Sequence, residues 1–199
     1  MTNLPISGPF NVTAIYGQTG PYWKDGHKGI DLVCANLDIY STCNGTVNAI
    51  GFDAGGWGQY VKIKDATGRF HIFAHLVKDS VKVKKGQTVD RLTVLGTMGA
   101  TGNVTGRHLH YQLNSANGKP MDPSAYLGIP NVKGSYNSAD YHIDRKIKDI
   151  VNVPAWANEA VEKVIEAGYM EGDASGYFRP NAYLTRAEMA VIIQRLKNL

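Results

Sequence analysis

Glutamate is missing from the first 128 residues of this 199-residue chain; all five (Glu159, Glu162, Glu166, Glu171 and Glu188) fall in the last 41. The absence excludes any chemistry there that needs a glutamate as general base, the HExxH metal sites above all. Cysteine is scarce, with only Cys34 and Cys43, and the pair makes no CxxC metal knuckle. The two can bridge a hairpin as a disulfide or stand as buried thiols. With no secretory leader visible in MTNLPISGPF, thiols are favoured. No apolar run is long enough to span a membrane, which argues against membrane insertion. No Lys/Arg cluster alternates with aromatics, so nucleic acid is a poor candidate partner despite a pI near 9.0.

What is present divides the chain in two. Residues 1–128 hold 18 of the 22 glycines, and 12 Lys and Arg against 8 Asp, a net +4. Residues 129–199 balance 9 against 9, so the basic charge of the chain belongs to its first part. A mildly basic surface suits a polyanionic partner. In 1–128, short alternating runs recur between glycine-rich turns: TVNAIGF, QYVKIKD, RFHIFAHL, TVLGTMG and HLHYQL. They predict a mainly β domain, an antiparallel sheet or sandwich. Residues 129–148 are polar and aperiodic and read as a linker. From 149 the pattern is helical. Pro154 suits a first turn, and Ala157, Ala160, Val161, Val164 and Ile165 form a stripe ending at Gly168. Thr185 and Glu188 form a capping box for a second helix, with Met189, Ile192, Ile193 and Leu196 as its buried face.

Histidine carries the chemistry of the first domain. His27 and Asp31 lie four apart in HKGID around a glycine, His108 and His110 lie two apart in HLH, and His75 sits between them in FAHL. On a strand, residues two apart share a face. Imidazole plus carboxylate suits zinc, and three protein ligands with an open fourth position describe a catalytic ion. With no glutamate available, any base is a histidine or an aspartate. His71 shares strand parity with His75, which makes it a possible cleft-lining residue, although an exposed strand position is the plainer reading. Tyr22, just before HKGID, is a possible cleft wall. GGWG at 55–58 reads as a hairpin loop flanking the cleft.

HxxxD, FAHL and TGNVTGRHLHYQL, in that order in a glycine-rich β domain, resemble the M23 (LytM/lysostaphin-type) metalloendopeptidases across residues 8–128. The resemblance implies one Zn2+ held by His27, Asp31 and His110, with His75 and His108 as catalytic histidines. It also implies hydrolysis of peptide bonds in bacterial peptidoglycan. Zinc polarises a carbonyl and lowers the pKa of water from ~16 to about 7. Either free histidine is chemically able to serve as base or to stabilise the oxyanion. The competing reading is a non-catalytic wall-binding or regulatory protein on the same scaffold. The intact set of five residues argues against it.

Residues 149–199 resemble a single S-layer homology (SLH) motif: PAWA, GYFRPN, then TRAE. This implies a small α-helical module that binds secondary cell-wall polysaccharide, with Arg186 gripping an anionic sugar group. A single copy of about 50 residues is near the lower limit for independent folding, which favours self-association or packing on a neighbour. The whole chain thus resembles a phage endolysin, held in the host cytoplasm until a holin opens the way to the wall. A secreted bacterial autolysin is the alternative. Stem or direct cross-link bonds are preferred over pentaglycine as the target.

Overall fold

The computed structural model describes residues 4–141, 153, 155–166, 169–170 and 178–197. They fall into two units, one over residues 2–142 and one made of 143–199 with residue 1. The larger unit contains strands β1 (Pro9–Ala14), β2 (Ile30–Cys34), β3 (Asp38–Tyr40), β4 (Gly45–Asp53), β5 (Gly58–Asp65), β6 (Phe70–Leu76), β7 (Thr88–Val89), β8 (Val94–Thr97), β9 (Leu109–Asn114), β10 (Pro120–Met121) and β11 (Gly134–Asn137). One short helix, α1 (Ser124–Leu127), follows β10.

The main sheet runs β11-β1-β2-β9-β6-β5-β4-β7, with β10 paired to β9; β3 and β8 form a second, two-stranded sheet. The pairings are antiparallel, as the alternating runs predict. In β1 the alternation is clean: Phe10, Val12 and Ala14 turn inward while Pro9, Asn11 and Thr13 face solvent. β9 lies centrally between β2 and β6 and is buried on both faces. Leu109, Tyr111 and Leu113 are buried on its odd face, while His110, Gln112 and Asn114 occupy the other. The core gathers Ile30, Leu32, Val61, Ile63, Phe73, Leu76, Leu95, Met98, Leu109 and Tyr111. Each such side chain contributes roughly 1.5–3 kcal/mol of burial free energy, enough to hold a polar face rigidly above it.

Two expectations shift. The stretch 129–148 is not simply a linker: Ile129 packs into the core, β11 adds to the sheet edge by pairing with β1, and Ser138 Oγ accepts from the Gly8 amide at 2.7 Å. Its polarity misleads because an edge strand buries little. Residues 142–150 lie outside the described residues. The cysteines are both buried and free, in line with the thiol reading. Burial, with the Asp65 charge adding to it, pushes the Cys43 thiol up to about 12.

In the smaller unit, a 3-10 turn at Ala155–Ala157 leads into α2 (Asn158–Glu166), and α3 (Arg186–Lys197) follows. Pro154 and Gly168 lie outside the described residues. The capping box forms: Glu188 N–H donates to Thr185 Oγ1 at 3.2 Å, and Glu188 Oε2 accepts from the Thr185 amide at 2.8 Å. The expected buried face of α3 is instead largely open, with Met189, Ile193 and Leu196 at 44–47% exposure. A helix pair of this size has too little apolar surface to enclose itself.

Candidate active site

The site begins with strand register. Asp31 on β2 stands directly opposite His110 on β9, which brings the HKGID and HLH segments to one point. Gly29 makes the approach possible. A Cβ there would lie 2.4 Å from the Tyr111 carbonyl and 2.7 Å from the His110 ring. The glycine in HKGID therefore serves close packing of the ligand ring.

Three donor atoms converge. His27 Nε2 lies 3.0 Å from His110 Nδ1 and 3.2 Å from Asp31 Oδ1; His110 Nδ1 lies 2.9 Å from Asp31 Oδ1. Donors 2.0–2.1 Å from a tetrahedral zinc stand about 3.3 Å apart, close to these edges. The protonation pattern also fits a cation. His27 Nδ1–H donates to the Ile15 carbonyl at 3.1 Å, leaving Nε2 as a bare lone pair. His110 Nε2–H faces Gln112 Oε1 at 3.3 Å, leaving Nδ1 bare. Two imidazole lone pairs and a carboxylate oxygen thus point at one another in a buried place, an arrangement that needs a positive charge among them. Burial alone would raise Asp31; when His110 or His27 turns a protonated nitrogen to it, their hydrogen bonds and charge hold it well below the usual carboxylate range, the part a bound cation would otherwise play. Among the described residues these three form the one His/Cys/Asp/Glu group suited to a metal.

His75 and His108 stand beside this triangle, their rings 4.8 Å apart. His108 lies just before β9, its Nδ1–H donating to the Gly106 carbonyl at 2.9 Å and its Nε2 3.7 Å from Asp31 Oδ2. His75 Nδ1–H donates to the Thr101 carbonyl at 2.9 Å. Both rings therefore turn Nε2 to the cleft. Burial pushes His75 down to about 4, so it is neutral at neutral pH. Its backbone is in the left-handed region (φ 63°), a strained state for a non-glycine residue that is typical of functional positions. The strain is held by three contacts: His75 N–H to the Trp57 carbonyl at 2.8 Å and Gly99 N–H to the His75 carbonyl at 3.0 Å, with Thr101 Oγ1 on the Leu76 carbonyl at 2.6 Å.

That geometry corrects the reading of His71. On β6, Phe73 pairs with Val61 and Leu76 with Gln59 of β5. Ala74 and His75 together therefore oppose the single residue Tyr60, a β-bulge that reverses side-chain parity. His75 is turned to the cleft, while His71 stays on the core side and is fully buried. His71 Nδ1 contacts Tyr111 Oη at 2.8 Å and Thr42 Oγ1 at 3.0 Å, and its Nε2 contacts Asp65 Oδ2 at 3.2 Å. It neither lines the cleft nor sits exposed.

The cleft spans about 680 Å3, floored by His27, Asp31, His75, His108 and His110. Tyr22, 74% exposed, lines it with Trp23, as do Gly56 and Trp57 of the β4–β5 hairpin and Asn103, Val104 and Thr105. Asp31 is the one carboxylate among the lining residues, against Lys28 and Lys133. Trp57 belongs to the GGWG loop expected beside the cleft, whereas nothing in the motifs marks Gln112 or Thr101. Alternation along HLHYQL places Gln112 on the face of His110 and was the available signal. Arg186 is exposed at the start of α3, and the neighbouring Glu188 carboxylate is engaged by Thr185.

A buried His–Asp–His donor set with two free histidines, set in an open cleft on an antiparallel sheet, is the layout of a metallohydrolase centre. Residues 25–123 match Peptidase family M23, and residues 146–190 match the S-layer homology domain. An uncharacterized metalloprotease of Haemophilus influenzae is 32% identical over 136 residues, covering 68% of this chain and 27% of the relative. The L-Ala–D-Glu endopeptidase of Bacillus subtilis is 31% identical over 137 residues, covering 62% of this chain and 41% of the relative. The chain thus spans well under half the length of these two relatives. Among solved structures, the catalytic domain of the prophage-encoded M23 protein EnpA from Enterococcus faecalis superposes with a TM-score of 0.53 at 29% identity, over 60% of this chain and 94% of that one. A zinc-containing peptidase from Vibrio cholerae superposes with a TM-score of 0.54 at 28% identity, over 61% and 38%.

Proposed function

We propose that the chain is a zinc-dependent endopeptidase that hydrolyses peptide bonds of bacterial peptidoglycan. The observation that carries the reading is the convergence of three ligand atoms within 3.2 Å of one another, beside two histidines that turn Nε2 to an open cleft. His27, Asp31 and His110 would hold the ion, which when bound supplies Lewis acidity toward a carbonyl oxygen and a water. The histidines do the proton work. His108 Nε2, fixed by the Gly106 carbonyl, is placed to take a proton at the edge of the donor triangle. His75 Nε2, neutral at neutral pH and clamped by Thr101, accepts or returns a proton on the adjoining side. Trp23 and Trp57 both line the cleft and offer aromatic surface to an extended peptide.

The charge of the cleft supports stem or direct cross-link peptides, which carry carboxylates, over a pentaglycine bridge, because Lys28 and Lys133 face a single carboxylate, Asp31, already assigned to the metal. The S-layer homology domain would hold the enzyme on secondary cell-wall polysaccharide through Arg186, and self-association would make up for its single copy. As the biological setting we propose phage-type lysis, supported by likeness to the prophage-encoded EnpA domain; a holin gene beside this one would favour it over a secreted autolysin. The test is digestion of purified Bacillus-type peptidoglycan with and without a chelator, followed by mass spectrometry. Chelator-sensitive release of stem or cross-link peptides is expected. No release from any wall type with zinc supplied would sink the reading in favour of a binding protein.

A further inference from the structure

Four histidines face the cleft, and three are oriented by backbone carbonyls: His27 by Ile15, His75 by Thr101 and His108 by Gly106, in each case through Nδ1–H. His110 differs twice. It offers Nδ1 to the donor triangle, and its other nitrogen is met by a side chain, Gln112 Oε1 at 3.3 Å. Gln112 is itself held, since its Nε2–H donates to Asn114 Oδ1 at 2.8 Å. His110, Gln112 and Asn114 occupy alternate positions of β9, on one face, and all three are at least nine-tenths buried.

We propose that Gln112 is a positioning residue that fixes the tautomer of His110 and thereby the affinity of the site for its metal, with Asn114 setting the orientation of the Gln112 amide. The inference rests on the zinc reading of His27, Asp31 and His110. A carbonyl oxygen only accepts, so Gln112 Oε1 requires the proton on His110 Nε2. Nδ1 is then the lone pair, aimed at Asp31 and His27. Without the amide, the Nδ1–H tautomer becomes competitive, because Nδ1 lies 2.9 Å from Asp31 Oδ1 and gains a charge-assisted hydrogen bond there. That tautomer blocks the metal. Gln112 therefore suppresses a self-inhibited arrangement in which the carboxylate ligand caps the imidazole ligand.

The test compares the wild-type full-length chain with Gln112→Leu and Gln112→Glu. Two readouts apply: zinc affinity by competition with a chromophoric chelator, and the ring-nitrogen chemical shifts of His110 in metal-free protein. Gln112→Leu is expected to weaken zinc binding by about 10–100-fold and to populate the Nδ1–H tautomer. Gln112→Glu keeps an acceptor, and the Asn114 amide can turn to donate to it. Its zinc affinity is expected within a few-fold of wild type, with His110 still protonated at Nε2. A purely structural role predicts the opposite order, since a buried charge disturbs packing more than leucine does. Equal zinc affinity and an unchanged tautomer in Gln112→Leu would overturn the proposal and leave the metal site standing. A wild-type chain that takes up no zinc would overturn the metal reading and this proposal together. Wild-type His110 carrying its proton on Nδ1 in the metal-free protein would overturn the proposal alone.

Discussion

At the scale of single residues, the donor triangle divides labour that the sequence only groups. His110 is a ligand, so His110→Ala is expected to abolish both zinc uptake, measured by metal analysis after gel filtration, and release of wall fragments. His108→Ala should retain zinc and lose turnover by about 10²–10⁴-fold. For His75 the informative variant is His75→Asn, because asparagine tolerates the left-handed backbone that His75 adopts. Unchanged turnover in His108→Ala would remove that histidine from the proton work. Gly29 is equally specific. Gly29→Ala would drive a methyl group into the Tyr111 carbonyl and the His110 ring, costing about 1–3 kcal/mol of stability and lowering zinc affinity. A zinc titration matching wild type would show that β2 and β9 separate without moving His110.

At the scale of elements, the decisive feature is the bulge in β6. Two-residue periodicity puts His71 and His75 on one face; the extra residue at Ala74–His75 sends them to opposite sides of the sheet. One becomes catalytic in the proposed reaction. The other becomes the centre of a buried polar cluster with Asp65, Thr42 and Tyr111. Burial pushes His71 down to about 4 against the pull of Asp65, so the folded chain keeps it neutral where the unfolded chain, with a pKa near 6.5, already binds a proton. Stability is therefore expected to fall as pH drops from about 6.5 to 4, by about 3 kcal/mol at most from this group. Asp65, held down to about 2 by Thr67, Arg69 and His71 against its own burial, extends the loss below pH 4. Denaturant midpoints across this range check the expectation, and His71→Gln, which keeps an amide but cannot titrate, should make the limb between 6.5 and 4 shallower, the remainder coming from His75, which burial lowers in the same way. A limb of unchanged slope in that variant would place the titration elsewhere.

At the scale of the whole molecule, the chain joins a basic segment that matches Peptidase family M23 to a charge-balanced segment that matches the S-layer homology domain. The core cluster belongs to the larger unit, and α3 leaves Met189, Ile193 and Leu196 open. Deleting residues 149–199 is expected to weaken sedimentation with intact walls several-fold while leaving cleavage of a small soluble peptide within about twofold, which pull-down and peptide assays would separate. An equal loss in both assays would mean that the smaller domain supports the catalytic one.

The antiparallel architecture and the second-domain capping box were legible in the sequence, because each rests on local information, alternation and spacing; the five cleft residues were legible through motifs that resemble a known family, and the state of the two cysteines was left open. Short motifs in fixed order sufficed for the donor set. What only the tertiary structure decided is non-local. The register of β2 on β9 sets the 2.9 Å contact of Asp31 with His110. The β6 bulge separates His71 from His75, the edge pairing of β11 extends the first domain past residue 128, and the Gln112–Asn114 ladder assigns the His110 proton. Each depends on which strand lies beside which, and that is determined by burial summed over the whole sheet rather than by any run of neighbouring residues.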